Sequence, residues 1–359
     1  MQIKNKLNKL MKVYIYIFSF VLFIIFFSTT YLHANIFKVS NIKVSSSFEL
    51  DFNKNRVIDN GFRIAFSNLI SMITTTGDQD KLKKIPLKKL KGMINSFTIS
   101  DEKFINYEYF AKLEVTFNKK DILTFLEKNN IFPSIPNKKT ILLIPILVDM
   151  EVDKIYLFTD NIFYQKWNAL TSDFHLLNYL LPSEDIEDLS NIQKNLNTIE
   201  DYDFINLIKK YDLSDYIISI IFKNKNEIKV LSKINLKDTF KVDNQIFTKI
   251  DLNDEKDLQI VLNKLKTVYE NYWKKNNQIN TSIKLPLTVS VNSNEYSKIK
   301  NFENTLNSLD LVSDFYILKF NNKNTFFRII YNGSPKNFLN DMINQKFDLE
   351  IINNIWVIK

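Results

Sequence analysis

The 359-residue chain contains no cysteine. Disulfides, thiolate metal sites and cysteine nucleophiles are therefore excluded. Its two histidines are His33 and His175. H-E-x-x-H and multi-histidine metal centres cannot be assembled from them, and a histidine-based triad would rest on His175 alone, because His33 falls in the leader described below. The four glycines, Gly61, Gly77, Gly92 and Gly333, are spaced too widely for a G-x-G-x-x-G turn, a Walker phosphate loop or a G-x-S-x-G nucleophile elbow. Only Arg56, Arg63 and Arg328 stand among the 48 basic residues. Nucleic-acid and phosphate sites favour the planar arginine fork, so no nucleic-acid partner is expected. No catalytic residue, cofactor or metal ligand is assigned on these grounds.

What is present begins with Val13–Tyr31, a stretch without charge, Gly or Pro that follows Lys4, Lys6, Lys9 and Lys12. A basic flank, an apolar core and then the small residue Ala34 form the order of an export signal, residues 1–34. Cleavage would leave a periplasmic chain starting at Asn35. Retention would make residues 13–32 an inner-membrane anchor, since about 20 apolar residues span a bilayer. Without the four leader lysines the 48 basic residues become 44, against 40 acidic. Hydrophobic content of 45% supports packed cores rather than disorder.

The remainder reads as an α+β protein of three small tandem units. In the first, residues 36–137, Phe37–Ser47 alternates as a strand, and Ile58, Phe62, Ala65, Leu69 and Met72 or Ile73 recur at helical spacing. Gly77 is the expected stop of that helix. A short helix follows Pro86. Apolar residues at every second position from Tyr107 to Phe117 form a half-buried strand, expected to pair with Ser96–Ser100 across a turn at Asp101–Asn106, before a helix at Lys119–Asn129. The second unit, residues 138–278, opens with the continuous apolar run Ile141–Val148, a strand buried on both faces. Helical patterns at Asn161–Leu170 and Tyr202–Tyr211, a three-strand meander over Tyr216–Ile250 and a long helix from Asp254 complete it. The third unit, residues 279–359, has the order βαββαβ of a ferredoxin-like arrangement and ends in a hairpin through Asn353-Asn354. LEVTFNKKDILTFLEKNN (Leu113–Asn130) parallels FRIIYNGSPKNFLNDMIN (Phe327–Asn344).

Chemistry-bearing patterns are few. His175 lies in the apolar run FHLLNYLLP, where a core or strand role is expected. Ser100…Lys103 and Ser297…Lys300 match S-x-x-K without companion motifs. Asp251, Asn253, Glu255 and Asp257 imitate a calcium loop, but Lys256 and Leu262 replace its glycine and glutamate, which leaves helix capping. Glu184, Asp185, Glu187 and Asp188 read the same way, and Asp149, Glu151 and Asp153 as a solvated loop. The candidate surface is basic: Lys81, Lys83, Lys84, Lys88, Lys89 and Lys91 crowd eleven residues among Leu82, Ile85, Leu87 and Leu90. Such a segment can lie on an anionic membrane or dock a partner.

Four stretches carry a family likeness: the helix ending Met72-Ile73-Thr74-Thr75-Thr76-Gly77-Asp78, Ser96–Ile131, the strand Leu142–Leu147, and Leu157-Phe158-Thr159-Asp160-Asn161 leading to Trp167-Asn168. In these the chain resembles the exported proteobacterial proteins catalogued as domain of unknown function 2066. Where that family shows Pro and Trp after the Asn, this chain has Ile162 and Phe163. The resemblance implies an exported envelope protein of a Gram-negative bacterium and supplies no catalytic residue. Sequence alone thus leads to a non-catalytic binding or assembly factor of the cell envelope. The alternatives are an envelope hydrolase using dispersed carboxylates, and a carrier of lipid or another small ligand.

Overall fold

The computed structural model describes residues 37–82, 84–169, 175–353 and 355–359. Residues 1–34, read above as an export leader, lie outside these, as do Lys83, Asn354 and residues 170–174, with Leu170 at the end of an expected helix. In the first unit β1 (Lys38–Ser47) leads to helix α1 (Lys54–Ile73). The Asn53 side chain caps α1 by accepting from the amides of Asn55 and Arg56. Its buried stripe is Val57, Gly61, Phe62, Ala65, Phe66, Leu69, Ile70 and Ile73. The helix ends before the expected Gly77. Thr74 is already extended, with its amide and hydroxyl both donating to the Ile70 carbonyl at 2.9 and 2.8 Å. The β-branched Thr74 and Thr75 leave the helical backbone, and Thr76 already opens the next helix. Gly77 instead lies inside α2 (Thr76–Leu82), and α3 (Leu87–Lys91) follows Pro86.

β2 (Ile94–Ile105) and β3 (Glu108–Phe117) form a hairpin longer than expected. Its turn is Asn106-Tyr107, with φ of 51° and 60°, the positive angles a two-residue hairpin turn requires. Asp101, expected in the turn, sits at a bulge where the register shifts between Ser100 and Lys103. The antiparallel order β1-β3-β2 puts β3 in the centre, which is why its alternation is the most regular. α4 (Lys119–Lys128), capped by Asn118, closes the unit.

The central unit is a mixed sheet of order β5-β4-β7-β8-β9 with β6 beside β4. Its elements are β4 (Lys139–Asp149), β5 (Lys154–Tyr156), α5 (Ile162–Lys166), β6 (Leu177–Leu180), α6 (Ile186–Gln193), α7 (Ile205–Lys209), β7 (Tyr216–Asn224), β8 (Glu227–Leu236), β9 (Thr239–Thr248) and α8 (Glu255–Asn276). β4 runs parallel to β6 and β7, and β7, β8 and β9 form the expected meander. The period of two divides β4 between two cores. Ile141, Leu143 and Leu147 join Trp167 and the α8 residues Val261, Leu262 and Leu265, whereas Leu142, Ile144, Ile146 and Val148 join Ile192 of α6 and Leu207 of α7.

The third unit comprises β10 (Leu285–Asn292), α9 (Tyr296–Ser308), β11 (Val312–Phe320), β12 (Asn324–Tyr331), α10 (Pro335–Asn344), β13 (Leu349–Ile352) and β14 (Ile355–Ile358). It departs from the four-stranded ferredoxin-like expectation at its last step. The sheet order is β11-β12-β10-β14-β13, and β14 lies parallel to β10. The terminal hairpin, with Asn353 at φ 51°, reverses the chain once more, so the strand beside β10 points the opposite way to that of a four-stranded unit. The first five elements repeat the β-α-β-β-α plan of the first unit, with the same 1-3-2 strand order. The parallel passages fall on β3–α4 and β12–α10. Their helices are offset by two residues, because α4 is capped by Asn118 and α10 by Ser334.

Two hydrogen bonds bring the two inter-unit links together, and a third ties the first link to the end of α1. Ser134 N donates to Ile73 O (2.7 Å), Ile135 N to Asn277 O (2.9 Å) and Ile279 N to Pro133 O (2.8 Å). α8 adds further ties. Lys274 Nζ donates to Ser71 O at 2.5 Å, Asn271 bonds the amide and hydroxyl of Thr76, and Trp273 Nε1 donates to Asn137 O at 2.8 Å. The first and third units also touch directly. Lys119 Nζ donates to Leu309 O (2.6 Å), Lys120 pairs with Asp314 (2.7 Å) and Lys284 with Glu127 (2.8 Å).

Candidate functional site

The basic segment does not form one amphipathic helix, because Pro86 and the residues before it separate α2 from α3. Lys81 pairs with Asp78 (2.8 Å) and Lys91 with Asp59 (2.6 Å), while Lys89 Nζ stands 4.5 Å from the centre of the Phe125 ring. Lys84 and Lys88 are exposed. Leu82, Ile85 and Leu90 are buried against the first core. The apolar side of the segment is thus used inside the protein, and what remains outward is charge. Between this segment and α1 lies a pocket of about 200 Å³, with Phe66, Ile70, Leu82, Ile85 and Leu90 in its lining and Arg63 beside them. Arg63 Nη1 donates to Ile85 O at 3.3 Å, which leaves other guanidinium donors for a ligand.

A second concentration of polar groups lies along α8. Glu270 Oε1 accepts from Leu176 N (2.9 Å) and Leu177 N (2.8 Å), fixing the start of β6. Lys266 Nζ donates to Trp167 O at 2.6 Å. Tyr269 Oη lies 2.7 Å from Ser232 Oγ and 3.2 Å from Ser219 Oγ. Glu270 Oε2, Tyr179 Oη and Trp167 Nε1 are buried without a hydrogen-bond partner among the described residues. Burial pushes the Glu270 carboxyl above its ordinary range and the Lys266 and Lys274 ammonium groups below theirs. His175 is half-buried, and burial together with the positive Lys266 and Lys274 lowers its pKa. The cluster holds neighbouring segments in place; its charges are spent on backbone groups.

The carboxylates singled out in the sequence are dispersed and locally engaged. Asp149 accepts from Glu151 N and pairs with Lys223 at 2.7 Å, and Asp153 occupies a turn with φ 50°. Asp185 caps α6 and pairs with Lys210 (2.8 Å), and Glu184 accepts from Thr159. Asp254 caps α8, while Asp257 accepts from Asp251 N. Ser100 and Lys103 lie on β2, and Ser297 and Lys300 on the exposed side of α9. A second pocket of about 200 Å³, between α4 and the third unit, is lined by Glu127 and Asp314, each already paired with a lysine. Among the described residues no group of three or more His, Asp or Glu could hold a metal ion.

Two apolar surfaces escaped the sequence reading. At the tip of the first sheet the rings of Phe48, Phe52, Phe104 and Tyr109 pack together, with Phe48 and Phe104 centroids 5.0 Å apart. Phe48 and Phe104 are about half exposed, Tyr107 is 87% exposed and Leu50 fully so. On the outer half of β11, Tyr316, Ile317, Leu318 and Phe320 are exposed in near succession. Among the described residues β11 pairs only with β12. The first half of β11 is covered by α4, through Asp314 and Lys120. Alternation of residue types cannot reveal either surface, because an exposed Phe and a core Phe look alike until pairing is known.

Among the described residues no helix is long and apolar enough to cross a membrane. No family model matches the chain, and no curated protein matches it.

Proposed function

We propose that this chain is an exported protein of the Gram-negative cell envelope that works by binding, a non-catalytic assembly factor whose partner contributes an extended segment to the open edge of β11. Export is supported by the order of four lysines, an apolar core and Ala34 within residues 4–34. The observation that carries the binding reading is the bare half-strand Tyr316–Phe320. A long apolar edge is a template for strand addition, and stable proteins guard such edges with charge, proline or a covering element. Here Lys319 is the one charged residue in that half-strand, and a register shift between Ile317 and Lys319 is the one irregularity in its pairing. The exposed side chains on its two faces would give the added segment its sequence preference.

The test is photo-crosslinking in the native envelope from a reactive residue placed at Phe320. The expected result is a discrete adduct with another envelope protein, lost in a Leu318→Asp background that keeps the wild-type circular dichroism spectrum. An adduct that persists in that background, or none at all, removes the reading.

A further inference from the structure

We propose that the chain also self-associates through its first unit, the aromatic tip of one copy seating in the pocket beneath the basic segment of another. One surface presents exposed rings and acids, and the other a pocket flanked by lysines. The tip presents Phe48, Leu50, Phe104 and Tyr107. Of the acids around them, Asp101 pairs with Lys112 and Glu102 with Lys54, which leaves Glu49, Asp51 and Glu108 to give the tip its negative charge. The receiving pocket has about 200 Å³ of space, lined by the apolar Phe66, Ile70, Leu82, Ile85 and Leu90 with Arg63, Ser67, Ser71 and Gln79 among them. An apolar cavity of about 150 Å³ holds a benzene ring, so the pocket suits one aromatic side chain. Of the described lysines in residues 81–91, Lys81 and Lys91 are paired with Asp78 and Asp59, and Lys84, Lys88 and Lys89 are the exposed positive charges left to face a partner.

The same charges argue against a lipid surface as the occupant. Anionic headgroups would repel the acidic tip. The basic segment has no free apolar side to insert, because Leu82, Ile85 and Leu90 are buried beneath it. A knob on one surface and a hole on another make a heterologous contact, which closes into a ring or reciprocal pair or extends as a chain.

The absence of cysteine makes the contact directly testable, since every disulfide in a variant is an introduced one. Two differently tagged copies of the full chain, one carrying Tyr107→Cys and the other Ser67→Cys, would be co-expressed with export and treated with a mild oxidant. Both positions are exposed, and Ser67 lines the pocket. The expected product is a covalent pair of the two tags, at least about tenfold above that from Tyr107→Cys with Lys300→Cys on the distant α9. Lys84→Glu with Lys88→Glu in the Ser67→Cys copy should cut the yield about tenfold, equivalent to about 1.4 kcal/mol. Adding Glu49→Lys and Asp51→Lys to the other copy should restore much of it. A yield equal to the Lys300→Cys control, or one indifferent to the charge reversals, overturns the proposal.

Discussion

Lys119 extends from the first turn of α4 to the Leu309 carbonyl, with its ammonium group 6.0 Å from the centre of the Phe37 ring. Burial lowers its pKa from 10.5 to about 8, although Asp310 pulls the other way. In the unfolded chain the same side chain stays protonated to about 10.4. Between these values the unfolded state holds more protons, so stability rises as pH climbs from about 8 to about 10.5 and sits on its lower plateau below 8. The difference corresponds to about 3 kcal/mol. Urea unfolding of wild type and Lys119→Met across that range should show the rise in the first and not in the second. Parallel pH profiles would mean that Lys119 is solvated in solution.

At the scale of elements, α8 shows how a familiar pattern can mislead. Glu270 and Lys274 stand four residues apart, the spacing of an exposed helical ion pair. Both are instead buried, and each bonds the backbone of a different neighbour, Glu270 at β6 and Lys274 at the end of α1. Glu270→Ala would leave two buried amides without an acceptor, a loss of about 3 kcal/mol by chemical denaturation. Glu270→Gln keeps the acceptor and removes the poorly solvated charge, so it should cost less than about 1 kcal/mol. It should also abolish the decline in stability that a raised carboxyl pKa produces as pH rises above 4.5. Equal losses in the two variants would refute the acceptor role.

The same helix marks how far sequence reasoning reached. Its cap at Asp254, the alternation of β3, the doubly buried β4 and the meander were legible because each rests on local periodicity or capping chemistry. Four features were not. The early stop at Thr74 depends on Thr74 and Thr75 outcompeting Gly77. The direction of β14 depends on which partner a four-residue strand finds. The bare half of β11 and the aromatic tip depend on what fails to cover them. The six lysines were visible as a cluster, but the use of their apolar neighbours as core was decided by α1, some twenty residues away in sequence.

For the whole molecule, the three bonds among residues 73, 133–135, 277 and 279 carry a topological consequence. The chain passes into the central sheet and out of it at neighbouring points, so the central unit is a parenthesis opened and closed at one place. The two β-α-β-β-α units stand on either side of that place, already joined through Lys119, Lys120 and Lys284. Such adjacency is what makes an inserted domain removable. Replacing residues 137–276 by a short Gly-Ser linker should leave a protein in which the outer units unfold in one transition and Lys119 still titrates near 8, although the ties that α8 makes to Ser71 and Thr76 are gone. Two separate transitions with an ordinary lysine pKa would mean that the central unit holds the outer pair together. The single-transition outcome would make the outer pair a split whole, and the middle of the chain the part free to change without disturbing it.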